Sequence, residues 1–230
     1  MIEKNIKQIK TNILRACEIS RKNPDSIKIV AVTKTIEHAR LNDCLKYLLE
    51  NGITDIGENR VQEMMEKQPY ITENINWHMI GNLQRNKAKY IVGKVKMIQS
   101  LDSIKLATEI NRVATRDGTD VDVLIEVNIA GEESKHGITP EQVLDFAKET
   151  TAFSNIHIKG LMTVAPYVKN PEENRINFRK MRELYETLKN QPDIGNKIEY
   201  LSMGMTNDYP VAVEEGANIV RIGTGIFGNR

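Results

Sequence analysis

Residues 27–34 read IKIVAVTK, a short run of apolar and β-branched residues that ends in a lysine. Such a run is typical of a strand covered on both faces, as in a parallel sheet with helices on either side. Segments with apolar residues at three- and four-residue spacing, such as 37–50, alternate with these runs and predict helices. Seven further strand-like runs follow, at 53–59, 76–81, 96–101, 121–128, 156–164, 199–205 and 219–224. The sequence therefore predicts eight strands with seven intervening helical segments.

This alternation predicts the α/β class and a single TIM-like (β/α)8 barrel. The chain stops soon after the eighth strand, so the N-terminal segment 2–19 has to supply the eighth helix. An open doubly wound sheet is the alternative, but it seldom contains eight strands and needs no helix before the first. No linker or internal repeat is visible, so we expect one domain over residues 1–230. The segment carries one apolar stripe, expected to cover the gap between strands 8 and 1: Ile2, Ile6, Ile9, Ile13 and Cys17.

The overall composition restricts the class of protein. The 230 residues carry a formal net charge of +1 without a long run of one sign, so we expect no nucleic-acid partner. Neither a signal peptide nor an apolar run long enough to cross a membrane is visible, so we expect a cytoplasmic protein without a membrane partner. Cys17 and Cys44 are too far apart for a metal site and are expected to be free thiols.

Barrels of this kind carry their chemistry where the strands run out into the following loops. Lys34 stands at the first strand end, where a partly desolvated amine could attack a carbonyl carbon. The alternative is a lysine that extends its amine into solvent at the surface. Two other lysines compete for the same role: Lys135, in the charged loop GEESKHG, and Lys159, inside the sixth strand.

The eighth strand, VRIGTGIFG at 220–228, places Arg221 in an apolar run, where an unpaired charge is costly. Its partner is either a carboxylate, such as Glu126 or Glu58, or an acceptor atom of a ligand inside the barrel. The turn Gly223-Thr224-Gly225 lets backbone N–H groups approach an anion, at the usual phosphate site of such barrels, and Ser202 ends the seventh strand nearby. A phosphate site, a carbonyl-seeking lysine and a buried arginine together suggest pyridoxal 5'-phosphate.

Two further side chains are expected to have structural roles. His78 stands among apolar residues in WHMIG and is expected to be a hydrogen-bonded core residue, because no second ligand stands at metal-binding spacing. Tyr209, just past the seventh strand, is expected to pack at the start of a helix.

The chain also resembles the YggS/PROSC-like family of pyridoxal phosphate homeostasis proteins, over nearly its whole length. The motifs that carry the resemblance are IVAVTKT at 29–35, DIGENRVQE at 55–63, WHMIGNLQRNK at 77–87, EVNIAGEESKHG at 126–137, GLMTVAP at 160–166 and LSMGMTNDYPVAVEEGANIVRIGTGIFG at 201–228. The sequence departs from the family pattern at Thr33 and Thr206, where serine is more common, and at Asn82, where histidine is common.

The resemblance implies an alanine-racemase-like barrel of the fold-type III class. It implies that Lys34 holds pyridoxal phosphate as a Schiff base and that Arg221 faces the pyridine nitrogen. It further implies that Ser202, Gly223 and Thr224 hold the phosphate and that Asn59 lines the pocket.

An arginine keeps its own proton, so a ring nitrogen beside it stays largely unprotonated and the ring withdraws electrons weakly. Racemisation also needs a second acid–base group on the opposite face of the cofactor, for which Tyr209 is the nearby candidate. We therefore expect a monomeric protein that binds and delivers the cofactor, with transient contacts to pyridoxal-phosphate-dependent apoenzymes. The alternatives are a weak racemase-like enzyme and, on the same barrel, a Schiff-base aldolase or phosphate-binding isomerase that uses Lys159.

Overall fold

The computed structural model describes residues 1–132 and 135–228. Eight parallel strands close into a barrel in chain order, and the last pairs with the first, so that Val30 lies opposite both Asp55 and Arg221. The predicted (β/α)8 barrel is confirmed. The strands are β1 (Lys28–Val32), β2 (Asp55–Glu58), β3 (Asn76–Met79), β4 (Met97–Leu101), β5 (Val121–Glu126), β6 (Ile156–Met162), β7 (Tyr200–Met205) and β8 (Ile219–Ile222).

The helices are α1 (Ile2–Ser20), α2 (His38–Glu50), α3 (Val61–Lys67), α4 (Ile104–Asp117), α5 (Val143–Thr150), α6 (Arg175–Lys189), α7 (Tyr209–Glu214) and α8 (Thr224–Phe227). One of the seven predicted connections differs from the rest. Between β3 and β4 the chain forms a short 3₁₀ helix, Arg85–Tyr90, in place of an α-helix. No helix in the described ranges is both long and apolar enough to cross a membrane.

Helix α1 lies beside α7 and α8, next to the β8–β1 pair, as its apolar stripe predicts. Ile6, Ile9 and Ile13 are at most 4% exposed, and burying such a side chain stabilises a fold by roughly 1.5–3 kcal/mol. Two amides on the same helix add polar contacts. Asn5 Nδ2 donates to the carbonyl oxygen of Ile226 at 2.9 Å, and Asn12 Nδ2 donates to the hydroxyl of Tyr209 at 2.8 Å.

Successive side chains of each strand alternate between the helix layer and the barrel interior. Ala31 and Ile56 belong to the core between strands and helices, whereas Val30 and Ile80 meet inside the barrel over Gly57. A small separate apolar cluster of Met97, Leu124 and Met162 fills part of the interior. The remaining inward positions are largely polar, so this interior differs from the branched aliphatic layers usual for the fold.

The strands end earlier than the apolar runs suggested. β1 stops at Val32 and β2 at Glu58, two residues and one residue before the predicted ends. Lys34 and Asn59 consequently lie in the turns that follow their strands, because the chain has already begun to leave the sheet.

Gly160 is a glycine that the barrel requires. Its φ is +152°, and a Cβ at this position would collide with the carbonyl oxygen of Tyr200 on β7. We predict that Gly160→Ala lowers the free energy of unfolding by about 3 kcal/mol or more, because backbone atoms have to move apart. Denaturant unfolding measures the loss.

Gly52→Ala is the matched control, because Gly52 also has a positive φ, +70°, but faces open space. It should cost only about 1–2 kcal/mol, the penalty of the left-handed backbone alone. Equal losses in the two variants would contradict the proposed collision between β6 and β7.

Candidate functional site

The predicted site residues lie on four adjacent strands and on the connections that follow them. In barrel order these strands are β7, β8, β1 and β2. Lys34 and Asn59 are half-buried in the turns after β1 and β2. Ser202 lies inside β7 and Arg221 inside β8. Gly223 is buried just before α8, and Thr224, the first residue of α8, is exposed.

Arg221 is a buried cation whose hydrogen bonds go to neutral oxygen atoms. Its NH1 donates to Ser202 Oγ at 2.6 Å, and its NH2 donates to the carbonyl oxygen of Thr163 at 2.7 Å. Burial lowers the pKa of Arg221 to about 10, against the opposing charges of Glu126 and Asp208. The guanidinium therefore keeps its proton at neutral pH, as the sequence argument assumed.

The carboxylate Glu58, considered as a structural partner of Arg221, is not one. Glu58 points out of the barrel toward α3, where its Oε1 accepts from Lys67 Nζ at 2.6 Å. That prediction is wrong because strand alternation places residue 58 on the face opposite to the barrel interior.

A chain of hydrogen bonds crosses the interior and ends at Arg221. The single proton of Ser202 Oγ goes to Gln99 Oε1 at 2.7 Å, since the guanidinium can only donate to that oxygen. The amide nitrogen of Gln99 then faces His78 Nδ1 at 3.1 Å, and His78 Nε2 faces Asp55 Oδ1 at 2.8 Å. With the amide nitrogen of Gln99 as the donor, His78 Nδ1 accepts, and His78 Nε2 donates to Asp55.

This interior chain links β2, β3, β4, β7 and β8 and fixes the position of Arg221. The prediction that His78 is a hydrogen-bonded core residue is confirmed, since its side chain is 2% exposed. Gln99 and Asp55 were not recognised from the sequence. Their signal is a polar residue at an inward position of an otherwise apolar strand, as in MIQSL for Gln99.

Glu126 is the other carboxylate that the sequence offered as a partner of Arg221. It ends β5, is 8% exposed, and its Oε2 has no hydrogen-bond partner among the described residues. Burial raises its pKa to about 7, Asp102 adds to the effect and Arg221 opposes it. Glu126 thus interacts with Arg221 through charge, whereas the hydrogen bonds of Arg221 go to Ser202 and Thr163.

The first turn of α8 contains Gly225. A Cβ there would lie 2.9 Å from Ile222 Cγ2, and its N–H donates to Thr206 Oγ1 at 3.2 Å. At both threonine departures from the family pattern the hydroxyl group makes a hydrogen bond. Thr206 Oγ1 accepts from the Gly225 N–H, and Thr33 Oγ1 donates to Glu58 Oε1 at 2.6 Å. Asn82, the third departure, lies 3.4 Å from Asp102 Oδ2 and 3.3 Å from His136 Nδ1 through its Nδ2.

The competing lysines and Tyr209 lie elsewhere. Lys159 pairs with Glu199 at 2.9 Å, beside the start of β7 and therefore at the amino-terminal end of the barrel. Lys135 Nζ donates to the carbonyl oxygen of Ala165 at 3.1 Å, in the segment after β6. Tyr209 begins α7, is buried, and receives a hydrogen bond from Asn12 of α1, so its interpretation as a packing residue is confirmed.

The donor set of the site fits pyridoxal phosphate. A buried guanidinium bonded to neutral atoms can face a ring nitrogen or an anionic oxygen without displacing a carboxylate hydrogen-bond partner. Thr224 adds a hydroxyl at the α8 turn, and Lys34 adds an amine on the neighbouring strand connection. Among the described residues, no group of three or more His, Cys, Asp or Glu side chains could hold a metal ion.

The raised pKa of Glu126 makes a pH-dependent prediction. Its pKa rises from 4.5 to about 7 on folding, so the stability linked to its proton is complete below about pH 4.5 and is lost as the pH rises through 7. Glu126→Gln removes this loss, and the variant should be more stable than the wild type by up to about 3 kcal/mol at pH 8. Near pH 4 the two proteins should differ little.

Urea unfolding at both pH values measures the difference, with the exposed Glu173→Gln as a surface control expected to stay within about 0.5 kcal/mol. A stability difference that is the same at pH 4 and pH 8 would rule out the titration of Glu126 as its cause.

Comparisons with known proteins agree with this geometry. The family model described as alanine racemase, N-terminal domain, matches residues 5–230. A pyridoxal phosphate homeostasis protein from Aquifex aeolicus is 41% identical, with 98% of this chain and 96% of that protein covered. One from Haemophilus influenzae is 38% identical, with 100% and 96% covered.

Solved structures show the same fold. PipY from Synechococcus elongatus, solved with pyridoxal phosphate bound, has a TM-score of 0.82 at 28% identity, with 99% of this chain and 100% of that chain covered. An alanine racemase from Clostridium difficile 630 has a TM-score of 0.75 at 16% identity, and the match covers 99% of this chain but 60% of the racemase. The chain belongs to the family of the alanine racemase N-terminal domain and, within it, to the pyridoxal phosphate homeostasis proteins.

Proposed function

We propose that this protein binds pyridoxal phosphate at the carboxyl end of its barrel, as a Schiff base with Lys34, and takes part in the homeostasis and delivery of that cofactor. The observation that carries the proposal is the buried Arg221. It lies on β8 between Ser202 of β7 and the β1 connection that bears Lys34. The names of the relatives and the pyridoxal phosphate bound to PipY support the same ligand.

Each residue would contribute through its own chemistry. The amine of Lys34 would add to the aldehyde carbon of the cofactor and form a C=N bond, with the aldehyde oxygen leaving as water. Arg221 would donate a hydrogen bond to the ring nitrogen and would keep its own proton, since the pKa of Arg221 stays near 10. Asn59, half-buried after β2, would line the pocket beside Lys34. When bound, the cofactor supplies an electron-withdrawing ring conjugated to that C=N bond.

The connection from β8 to α8 would bind the phosphate group of the cofactor. Gly223 allows backbone N–H groups to approach it, and the exposed hydroxyl of Thr224 is free of the interior chain. Ser202 is more constrained, because its proton goes to Gln99 and its oxygen accepts from Arg221. Ser202 would donate to the phosphate only by giving up Gln99, so its main contribution would be to hold Arg221 in place.

The site supports a carrier better than a fast enzyme. Amino-acid racemisation needs an acid–base group on each face of the cofactor. Tyr209, the candidate for the second face, is instead buried against α1, and burial raises its pKa. We therefore propose a protein without strong enzymatic activity, and the weak racemase-like enzyme remains the alternative. The aldolase or isomerase hypothesis loses its support, because Lys159 is paired with Glu199 at the opposite end of the barrel.

We further propose that the protein works as a cytoplasmic monomer and gives its cofactor to pyridoxal-phosphate-dependent apoenzymes in transient encounters. The balanced composition, with a formal net charge of +1, supports this proposal.

The first prediction from this proposal concerns the absorbance spectrum. Wild-type protein with added pyridoxal phosphate should show a protonated-imine band that borohydride bleaches, and Lys34→Ala should lack it, because the nitrogen of the bond is removed. Lys159→Ala is the control and should keep the band, since it lies at the other end of the barrel.

No band and no saturable binding in any of the three proteins would overturn the cofactor proposal. A band that survives in Lys34→Ala would move the linkage to another lysine, and peptide mapping after reduction would then identify Lys135 or Lys159.

The second prediction concerns catalysis. In deuterated buffer with the loaded protein and L-alanine, we expect deuterium-labelled D-alanine to form no faster than with Lys34→Ala, because protonation from the opposite face needs the second acid–base group, which is not in place. Mass spectrometry of the recovered D-alanine measures its formation. Formation of labelled D-alanine that depends on Lys34 and turns over many times per protein would establish the racemase-like alternative.

A further inference from the structure

The backbone turn that carries Lys34 is strained. Thr33 to Ile36 form a turn closed by a 3.0 Å hydrogen bond from the Ile36 N–H to the Thr33 carbonyl oxygen. Within it Thr35 has φ +62°, in the left-handed region that β-branched residues avoid. Such a conformation persists only where the surrounding contacts enforce it.

Three side chains of β2 and α3 supply those contacts, and we call Glu58, Glu63 and Lys67 the turn clamp. Glu63 Oε2 accepts the Thr35 N–H at 2.7 Å. Lys67 Nζ donates to the Thr33 carbonyl oxygen at 2.8 Å and to Glu58 Oε1 at 2.6 Å. Every backbone group of the turn that these bonds reach belongs to a direct neighbour of Lys34.

Strand alternation separates the clamp from the pocket. Thr33 points to the helix layer, where its hydroxyl donates to Glu58, whereas Val30 and Val32 belong to the inward set. The clamp therefore contacts the turn from the helix layer, and the side of the turn that faces the barrel interior stays available to a ligand. It contacts the chain beside Lys34 without entering the pocket.

The buried charges of the turn clamp would be an energetically unfavourable way to attach α3 alone. The Glu58 side chain is fully buried, that of Lys67 is 7% exposed, and Glu58 Oε2 has no hydrogen-bond partner among the described residues. Buried ion pairs seldom stabilise a fold more than apolar side chains of the same size. Their better-attested role is to fix a specific geometry.

We propose that the turn clamp positions Lys34 for reaction with the aldehyde of the cofactor, an inference that rests on the function proposed above. Glu58, Glu63 and Lys67 are positioning residues, since they act on the backbone on either side of Lys34. Weakening the clamp should let Thr35 leave the left-handed conformation and carry the Lys34 amine away from the pocket.

The test varies Glu63, because removing Glu58 or Lys67 would leave its partner buried and unpaired. Glu63→Met keeps the length of the side chain but removes the acceptor for the Thr35 N–H. We expect hydrogen exchange of the Thr35 amide to accelerate about tenfold or more and Schiff-base formation with pyridoxal phosphate to slow by a similar factor, as the loss of a charge-assisted hydrogen bond implies. NMR exchange and stopped-flow absorbance provide the two rates.

Three companion variants separate positioning from general damage. Glu63→Gln keeps an acceptor oxygen and should remain close to the wild type. Glu66→Met changes an exposed glutamate on the same helix and should leave both rates unchanged. Glu63→Met with Thr35→Gly should recover the rate of Schiff-base formation, because glycine adopts a positive φ without strain and no longer needs the clamp.

The outcomes distinguish this inference from the proposed function. If wild-type protein gives no borohydride-stable adduct on Lys34, the proposed function fails and the positioning role fails with it. If the adduct forms but Glu63→Met leaves both rates at wild-type values, the clamp alone is overturned. If Glu63→Met slows the reaction and Thr35→Gly does not restore it, the cluster is structural and the positioning role is wrong.

Discussion

The buried charge of Arg221 is the constraint on which the barrel interior depends. An isolated ion in a protein interior is unfavourable by several kcal/mol unless its donors are satisfied. Here the donors meet Ser202, on the neighbouring strand β7, and the carbonyl oxygen of Thr163, directly after β6. The polar chain from Asp55 to Ser202 exists because Ser202 needs an acceptor for its own proton, and each following group needs a partner in turn.

That chain also explains why the interior is polar where other barrels pack aliphatic layers. A half-satisfied polar network costs more than an apolar core, so one buried arginine commits the inward positions of several strands to hydrogen bonding. The apolar side chains of the interior include Met97, Leu124 and Met162 on β4, β5 and β6, and Val30 and Ile80, which meet over Gly57. The polar chain therefore shares the interior with two small apolar groups.

The sequence predicted the architecture because the architecture depends on local patterns. Eight two-sided apolar runs and the stripe on α1 indicate a closed barrel without reference to any contact. The partners of the buried charges were not predictable in this way. Gln99 and Ser202 are 103 residues apart and meet only when the barrel closes. Glu58 seemed able to reach Arg221 until the strand register placed it on the outer face beside Lys67.

The two polar systems of the protein converge on β1 and β8 from opposite sides of the barrel wall. The interior chain fixes a cation on β8, and the turn clamp fixes the backbone around Lys34 just beyond β1. Both systems hold their residues through hydrogen bonds, while Lys34 is half-buried and Thr224 is exposed. Enzymes that hold reactive bonds for catalysis exclude water from them. A site that water can reach would instead let the proposed C=N bond on Lys34 hydrolyse in place, which is the property that a protein proposed to give up its cofactor requires.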